Sequence, residues 1–155
     1  MNVYFRYPPR HEVDALARTL LLKPDSGFTD TGIRIAKRAI LKDRAPERLL
    51  TRALAALREG DLDGVSRFVN ESAEGAKEKD TLDDYQLSTL ETIQGLALLK
   101  QKQNDKARTI LTRANTRLAK ARQLSHGRDD RWWEFMVFQV LLREGDAILR
   151  GVNKP

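Results

Sequence analysis

The sequence has no cysteine and only two histidines among its 155 residues. The absence of cysteine excludes disulfide bonds, thiol nucleophiles and cysteine metal ligands. The histidines, His11 and His126, fall at a predicted helix start and in a predicted loop, and the chain contains no HxxxH or HExxH pattern and no glycine-rich phosphate loop. These absences predict a protein that is not an enzyme and that has no cofactor or metal ion.

Long apolar runs are also missing, since none approaches the roughly 18 residues that a membrane-spanning helix needs. Residues 1–10 are polar and aromatic, contain Pro8 and Pro9, and lack the layout of a secretory signal peptide. We therefore expect a cytoplasmic protein without a membrane partner. Because the two prolines bar a helix, residues 1–10 are predicted to form an extended arm, followed by a single domain over residues 11–155.

Proline and glycine are scarce, with 5 and 9 copies, and the apolar residues recur at the period of about 3.6 that is typical of α-helices. The pattern predicts an all-α fold of about seven helices. We expect Thr29 or Asp30 to cap the second helix. Gly95 stands inside the fifth helix, where it is tolerated if the next helix approaches closely. The predicted helices are residues 11–22, 30–41, 46–59, 62–76, 83–101, 104–124 and about 130–150.

A five-residue segment occurs twice, as Leu57-Arg58-Glu59-Gly60-Asp61 and as Leu142-Arg143-Glu144-Gly145-Asp146. The corresponding place between them is Leu99-Lys100-Gln101-Lys102-Gln103, so the three leucines are 42 and 43 residues apart. A fixed spacing of this size is typical of stacked supersecondary units. Helices joined by a few residues lie antiparallel, so each unit is predicted to be a helical hairpin whose first helix ends at the Gly-Asp turn.

The spacing of small and large residues within these hairpins resembles that of tetratricopeptide repeats. The central unit matches at Gly95 and Leu98, then at Ala107, Leu111 and Ala114; the unit before it matches at Ala53 and Ala56, the Gly60-Asp61 turn, then Val65, Val69 and Ser72. The resemblance covers about residues 10–150 and implies a solenoid of stacked antiparallel helical hairpins. Similar repeat regions occur at the C-terminal ends of large multidomain bacterial proteins, so the resemblance leaves two alternatives open, a separate protein or one piece of a longer bacterial chain.

The resemblance also implies a binding groove, because such repeats hold ligands on the concave surface formed by the first helix of each unit. Leu50 and Leu54 occupy the places of the family's clamp for a peptide carboxylate, so a chaperone-tail receptor is disfavoured. An apolar groove for a helix or an extended peptide is the expectation. Its residues would be Leu50, Leu54, Thr92, Leu96, Phe135 and Gln139.

The net charge of +6 is concentrated in one part of the chain, since residues 100–128 contain nine Lys or Arg and one acid, Asp105. On the sixth helix, the four basic side chains that fall within about 60° of each other are Lys106, Arg113, Arg117 and Lys120. They are either a solvated face whose aliphatic stems cover the edge of the core, or a site for phosphate groups or an acidic peptide. The helix has no interleaved aromatic residues, which lowers the case for a nucleic acid.

Two paired features remain. Trp132-Trp133 precedes a run of large apolar residues; the pair either seals the end of the fold or marks an interface with a further repeat, a bound helix or a second copy of the chain. Asp83-Asp84 and Asp129-Asp130 precede helices, so capping accounts for them better than catalysis does.

The function predicted is a noncatalytic scaffold for protein–protein interaction or assembly, which binds a protein or peptide in the apolar groove. Self-association through the C-terminal helix is a further possibility. The alternative is binding of a nucleic acid or another anionic partner through the basic helix 104–124.

Overall fold

The computed structural model describes residues 10–24, 27–79, 82–124 and 132–151, without the side chains of residues 10–12, 78, 79, 132 and 133. These ranges contain seven α-helices and no strand. The predicted all-α fold is therefore confirmed for the described residues. The helices are α1 (Arg10–Leu21), α2 (Thr29–Lys42), α3 (Pro46–Glu59), α4 (Leu62–Lys79), α5 (Asp84–Lys100), α6 (Asn104–Leu124) and α7 (Trp132–Leu149).

The helix boundaries agree closely with the predicted ones, and α6 has the predicted range. Helix α4 is three residues longer than predicted and ends at Lys79. The cap predicted for α2 is wrong: Phe28 is the residue that precedes the helix, and it makes no side-chain capping hydrogen bond. The reason is that the Gly32 N–H already donates to the Phe28 carbonyl at 3.1 Å, so the helical turn begins before Thr29 and Asp30.

Each pair of neighbouring helices, α1 with α2, α3 with α4 and α5 with α6, packs along its length as a hairpin. Helix α3 also contacts α1, α2 and α5, and α5 also contacts α4 and α7. The core therefore lies around α3 and α5. Nine consecutive residues of α3, Leu49 to Leu57, are buried on every side of the helix.

Small residues lie where the hairpin helices cross. A Cβ atom added to Gly95 on α5 would stand 2.7 Å from Cδ2 of Leu111 on α6, and one added to Gly32 on α2 would stand 2.9 Å from Cγ of Leu21 on α1. Ala107 is completely buried in the same α5–α6 contact. The predicted close approach of α5 and α6 at Gly95 is confirmed.

The turns that end α3 and α5 have the same backbone conformation, 42 residues apart in the chain. Gly60 has φ 77° and Lys102 has φ 60°, so both lie in the left-handed region. Equivalent backbone hydrogen bonds close both turns. In the first turn Gly60 N–H donates to Leu57 O at 3.3 Å and Asp61 N–H donates to Ala56 O at 3.0 Å. In the second turn Lys102 N–H donates to Leu99 O at 2.9 Å and Gln103 N–H donates to Leu98 O at 2.9 Å. The repeat spacing read from the sequence therefore corresponds to a repeated turn conformation at these two places.

The second copy of the five-residue segment, Leu142 to Asp146, is not a turn. Gly145 and Asp146 lie inside α7, which continues to Leu149, close to the predicted end near residue 150; the repeated letters therefore form no turn here. A Cβ atom on Gly145 would stand 3.4 Å from both Leu96 and Leu111, and the residues that follow it, Ile148 and Leu149, pack against the core. Because continuing the helix buries these apolar residues, packing overrides the local turn signal.

One ion pair joins parts of the chain that are distant in sequence. Arg58, at the end of α3, donates two hydrogen bonds to the Glu144 carboxylate on α7, at 2.7 and 2.8 Å. Two further hydrogen bonds from Arg58 reach the carbonyls of Leu21 and Leu22 at the end of α1, at 2.7 and 2.9 Å. The Arg58 side chain is 1% exposed. It therefore links α1, α3 and α7, and it brings α7 back toward the first half of the molecule.

Candidate binding surface on α6

The predicted apolar groove is not open. Four of its six residues, Leu50, Leu54, Thr92 and Leu96, are completely buried in the core. Only the two on α7, Phe135 and Gln139, are partly exposed. The physical reason is that α3 and α5 are surrounded by neighbouring helices, so the side chains that the family resemblance places on a concave surface fill the interior instead. This part of the prediction is wrong.

Helix α6 presents one buried face and one exposed face. Its buried residues recur at helical spacing and pack into the core against α5 and α7: Ala107, Leu111, Ala114 and Leu118. The opposite face, here called the outer face of α6, is formed by exposed Lys, Arg, Thr, Asn and Ala side chains. Asp105 is the one acidic residue in the range Asn104–Leu124, beside six Lys or Arg. This face remains accessible to a partner.

The four cations of the predicted stripe lie on one side of α6, as expected from their spacing, but two of them are engaged within the chain. Arg113 pairs with Glu91 of α5 at 2.8 Å. Arg117 pairs with the same carboxylate and with Asp84, both at 3.3 Å. The hydrogen bond from Arg117 to Glu91 raises the pKa of this arginine, in spite of the opposing effect of burial. Arg117 is therefore a residue that holds α6 on α5.

These carboxylates could not be predicted directly as partners of the stripe, because they lie on another helix. The hairpin register could have indicated Glu91, since an antiparallel pair with Gly95 opposite Leu111 brings Glu91 level with the segment between Arg113 and Arg117.

Three cations of the outer face keep their charge uncompensated. Lys106, Arg108 and Lys120 are exposed, and none of them pairs with an acid among the described residues. Arg108 was missed by the sequence prediction because it lies on the other side of the helix from the stripe. A second missed cation, Arg122, stacks on the Phe135 ring with 4.4 Å between the guanidinium carbon and the ring centroid. The cationic surface is thus wider than predicted.

The tryptophan pair begins α7, and both side chains lie outside the described residues. The role predicted for Trp132 and Trp133 stays a prediction. On the same helix Met136 is 46% exposed, whereas Val137 and Phe138 are buried.

The predicted capping role of the paired aspartates is confirmed at Asp83. Its carboxylate accepts a hydrogen bond from the Gln86 backbone N–H at 3.0 Å, and the Gln86 side chain accepts one from the Asp83 N–H at 3.3 Å. Asp84 is the first residue of α5 and pairs with Arg117. The second pair, Asp129 and Asp130, lies outside the described residues, as does His126; for His11 only the backbone is described.

An open depression lies beside the α1–α2 connection, lined by Gly27, Thr29, Asp30, Ile33, Arg34, Arg58 and Glu59. Arg58 in its wall is bound to Glu144 and to the carbonyls of Leu21 and Leu22, and Glu59 is bound by Lys37 and Arg52. Within the described part of the chain, no group of three or more His, Asp or Glu side chains could hold a metal ion.

Comparison of the chain with models of protein families, with curated proteins and with solved structures finds no match. Among the helices that the structure describes, none combines the length and the apolar character needed to cross a membrane.

Proposed function

We propose that the protein is a noncatalytic interaction module that binds an anionic macromolecular partner through the outer face of α6. One observation supports this choice of surface: an accessible helix carries six cations and one acid, and three of the cations, Lys106, Arg108 and Lys120, have no ion pair among the described residues. Uncompensated charge of one sign on an exposed face attracts partners of the opposite sign.

The architecture we propose for this module is a stack of tetratricopeptide-like hairpins. Its support is the packing of α3 on the first hairpin and of α5 on the second, together with the two equivalent turns at Gly60 and Lys102. Helix α7 departs from a regular stack, because Glu144 reaches back to Arg58.

The function class is the one expected from the sequence, a scaffold that binds a partner. The binding surface differs, because the partner contacts the outer side of the hairpins and not the side that faces the core. Since the side chains of the expected groove are buried, a partner reaches them only if the core opens. The outer face of α6 is accessible without any rearrangement.

The test is fluorescence anisotropy of three labelled probes, poly-L-glutamate, duplex DNA and single-stranded RNA, at low and at physiological ionic strength. We expect at least one probe to bind at low salt and to lose affinity several-fold as the salt concentration rises, because exposed charges are screened. The double charge reversal Lys106→Glu/Lys120→Glu should weaken that binding.

A matched control reverses two exposed cations on another helix, Arg34→Glu/Arg38→Glu on α2, so that the net charge changes equally. This control should bind like the wild type. Absence of binding to every probe at low salt would refute the proposal, and equal losses in both double variants would show that net charge, not the α6 face, attracts the probe.

A second candidate function, self-association, is favoured by the outward side of α7. Met136 is 46% exposed there, and Val140 and Ala147 on the same side are partly exposed. Light scattering of the wild type and of Met136→Glu after size-exclusion chromatography tests it: a dimer that the substitution dissociates supports the idea, and a monomeric wild type refutes it.

A further inference from the structure

Five cations of the outer face of α6 form, together with Asn115, two rows with the same spacing. One row is Lys106, Arg113 and Lys120, and the other is Arg108, Asn115 and Arg122; the members of each row are seven residues apart and all six are exposed. Seven residues in an α-helix advance about 10.5 Å along the axis and drift by only about 20° around it. Each row therefore runs nearly parallel to the helix axis.

Between the rows runs a seam of short, exposed side chains at alternating spacings of three and four residues: Thr109, Thr112, Thr116 and Ala119. The hydroxyl groups of Thr109 and Thr116 donate to the carbonyls of Asp105 and Thr112, each at 3.0 Å. Because these two hydroxyls are already bonded within the helix, they do not require a polar partner. Short side chains also allow another backbone to approach closely.

The flanking rows carry five cations, of which Arg113 also pairs with Glu91 of α5. A seam at alternating spacings of three and four, flanked by mostly basic rows at spacings of seven, is the pattern of one helix of a two-stranded coiled coil. We infer that the outer face of α6 binds a single α-helix of a partner protein, with Glu or Asp at the positions that flank its contact seam. This inference rests on the proposed function, since it names the partner of the same surface.

Other occupants fit the surface less well. A second copy of α6 would place basic rows against basic rows, and like charges at these flanking positions repel. A single-stranded nucleic acid stacks its bases on aromatic side chains, and the seam contains none. A duplex would contact both rows through phosphates, but nothing in phosphate recognition requires cations at heptad spacing. The charge and the spacing together favour an acidic helix.

The seam offers little apolar area, because threonine and alanine replace the large apolar residues of a stable coiled coil. Most of the attraction therefore comes from exposed charge pairs, which are individually weak and are screened by salt. We expect a transient complex with a dissociation constant in the micromolar range or weaker, and with strong salt dependence.

The experiment compares two labelled peptides of identical composition, each about three heptads long. In the first, Ala and Leu occupy the seam positions and Glu both flanking positions, so that it can bind in either orientation. In the second, the Glu residues are moved to the side away from the seam. Circular dichroism is used to match their helix contents, and anisotropy titration against the full chain gives the affinities.

We expect the first peptide to bind about tenfold more tightly than the second, which is what several exposed charge pairs add together. The variant Lys106→Glu/Arg108→Glu/Lys120→Glu should lose the acidic peptide and gain affinity for a peptide with Lys at the flanking positions. That exchange of preference also shows that the variant is folded, because an unfolded chain has no ordered rows to pair with.

Equal affinities of the two acidic peptides would overturn the helix inference and leave the proposed function standing. Tighter binding of duplex DNA than of the first peptide, lost on the same substitutions, would replace the partner helix by a nucleic acid. If neither peptide and no polyanion binds at low salt, both the inference and the proposed function fail.

Discussion

Lys102 adopts a left-handed backbone conformation that Gly60 adopts in the equivalent turn 42 residues earlier. A residue with a Cβ atom pays about 1–2 kcal/mol for this conformation, whereas glycine adopts it freely. The sequence predicted the turn at Gly60 because glycine after a helical run is a stop signal. It gave no such signal at Lys102, where the repeat spacing alone identified the place.

The substitution Lys102→Gly should therefore raise the free energy of unfolding by about 1 kcal/mol. Because Lys102 is exposed, the main effect of the substitution is to remove the strain of its left-handed backbone conformation. Urea denaturation measures the change. The reciprocal control, Gly60→Ala, should lower stability by a similar amount. A stabilising effect of Gly60→Ala would contradict the equivalence of the two turns.

Gly95 is required because the neighbouring helix leaves no room for a side chain, and not because its backbone conformation favours glycine. Alanine is the better helix former by about 0.5–1 kcal/mol, but a Cβ atom here would stand 2.7 Å from the Leu111 side chain. Because overpacking of a core costs about 1–3 kcal/mol, Gly95→Ala should destabilise the protein by about 1 kcal/mol in net terms.

Gly145→Ala is the matched control on α7, because its Cβ atom would meet Leu96 and Leu111 at an ordinary contact distance of 3.4 Å. It should be neutral or slightly stabilising in the same urea experiment. If both glycines tolerate alanine equally, the α5–α6 crossing is looser than the structure shows.

At the scale of the helices, the periodicity of the apolar residues predicted the number of helices and nearly all of their boundaries, because the buried residues of each helix recur at the helical period. The end of α7 at Leu149 agrees with the predicted end near residue 150, although the repeated five-residue segment does not mark it. The same letters that end α3 at Gly60 continue as helix at Gly145, because the packing of Ile148 and Leu149 against the core decides the outcome. Such tertiary contacts leave no local pattern in the sequence.

The Glu59 carboxylate of α3 pairs with Lys37 of α2, so its negative charge stabilises the contact between the two helices. Burial alone would raise the pKa of Glu59, but hydrogen bonds from Lys37 and Arg52 outweigh it, so the pKa lies below its ordinary value of 4.5. A carboxylate with a lowered pKa in the folded state contributes stability above its ordinary pKa, and that contribution is lost as the pH falls through the lowered value.

We therefore expect the wild type to lose stability as the pH falls below about 4.5, and Glu59→Gln to lose less over the same range. At neutral pH Glu59→Gln should be less stable by about 1–2 kcal/mol, because two charged hydrogen bonds are weakened. Lys37→Met, which removes one of the two donors, should give an intermediate pH dependence. Parallel stability–pH curves for Glu59→Gln and wild type would show that the pKa of Glu59 is not lowered.

At the scale of the whole molecule, the largest departure from the sequence prediction is the return of α7 toward α1 and α3. Arg58 and Glu144 are 86 residues apart, and their pairing could not be read from either segment alone. The burial of Leu50, Leu54 and Thr92 likewise depends on which helices surround α3 and α5. The basic face of α6, by contrast, follows from the period of a single helix and was predictable.

Removing the carboxylate by Glu144→Ala should lower stability by about 3 kcal/mol, because it leaves the Arg58 guanidinium buried without its charged partner. The combined substitution Arg58→Met/Glu144→Leu should recover part of this loss, since two apolar side chains carry no unpaired charge. The recovery should be incomplete because the Leu21 and Leu22 carbonyls lose their donors. A loss below about 1 kcal/mol for Glu144→Ala would mean that the ion pair does not hold α7 in place.

In the proposed function, the accessible cations of α6, and not the total charge of the protein, bind an anionic partner. The most direct measurement is the affinity of the acidic peptide with Glu at both flanking positions for Lys106→Glu/Lys120→Glu and for Arg34→Glu/Arg38→Glu, at one low ionic strength. Our account predicts that the α6 variant binds about tenfold more weakly than the wild type while the α2 variant binds normally. Equal binding by the two variants would contradict it.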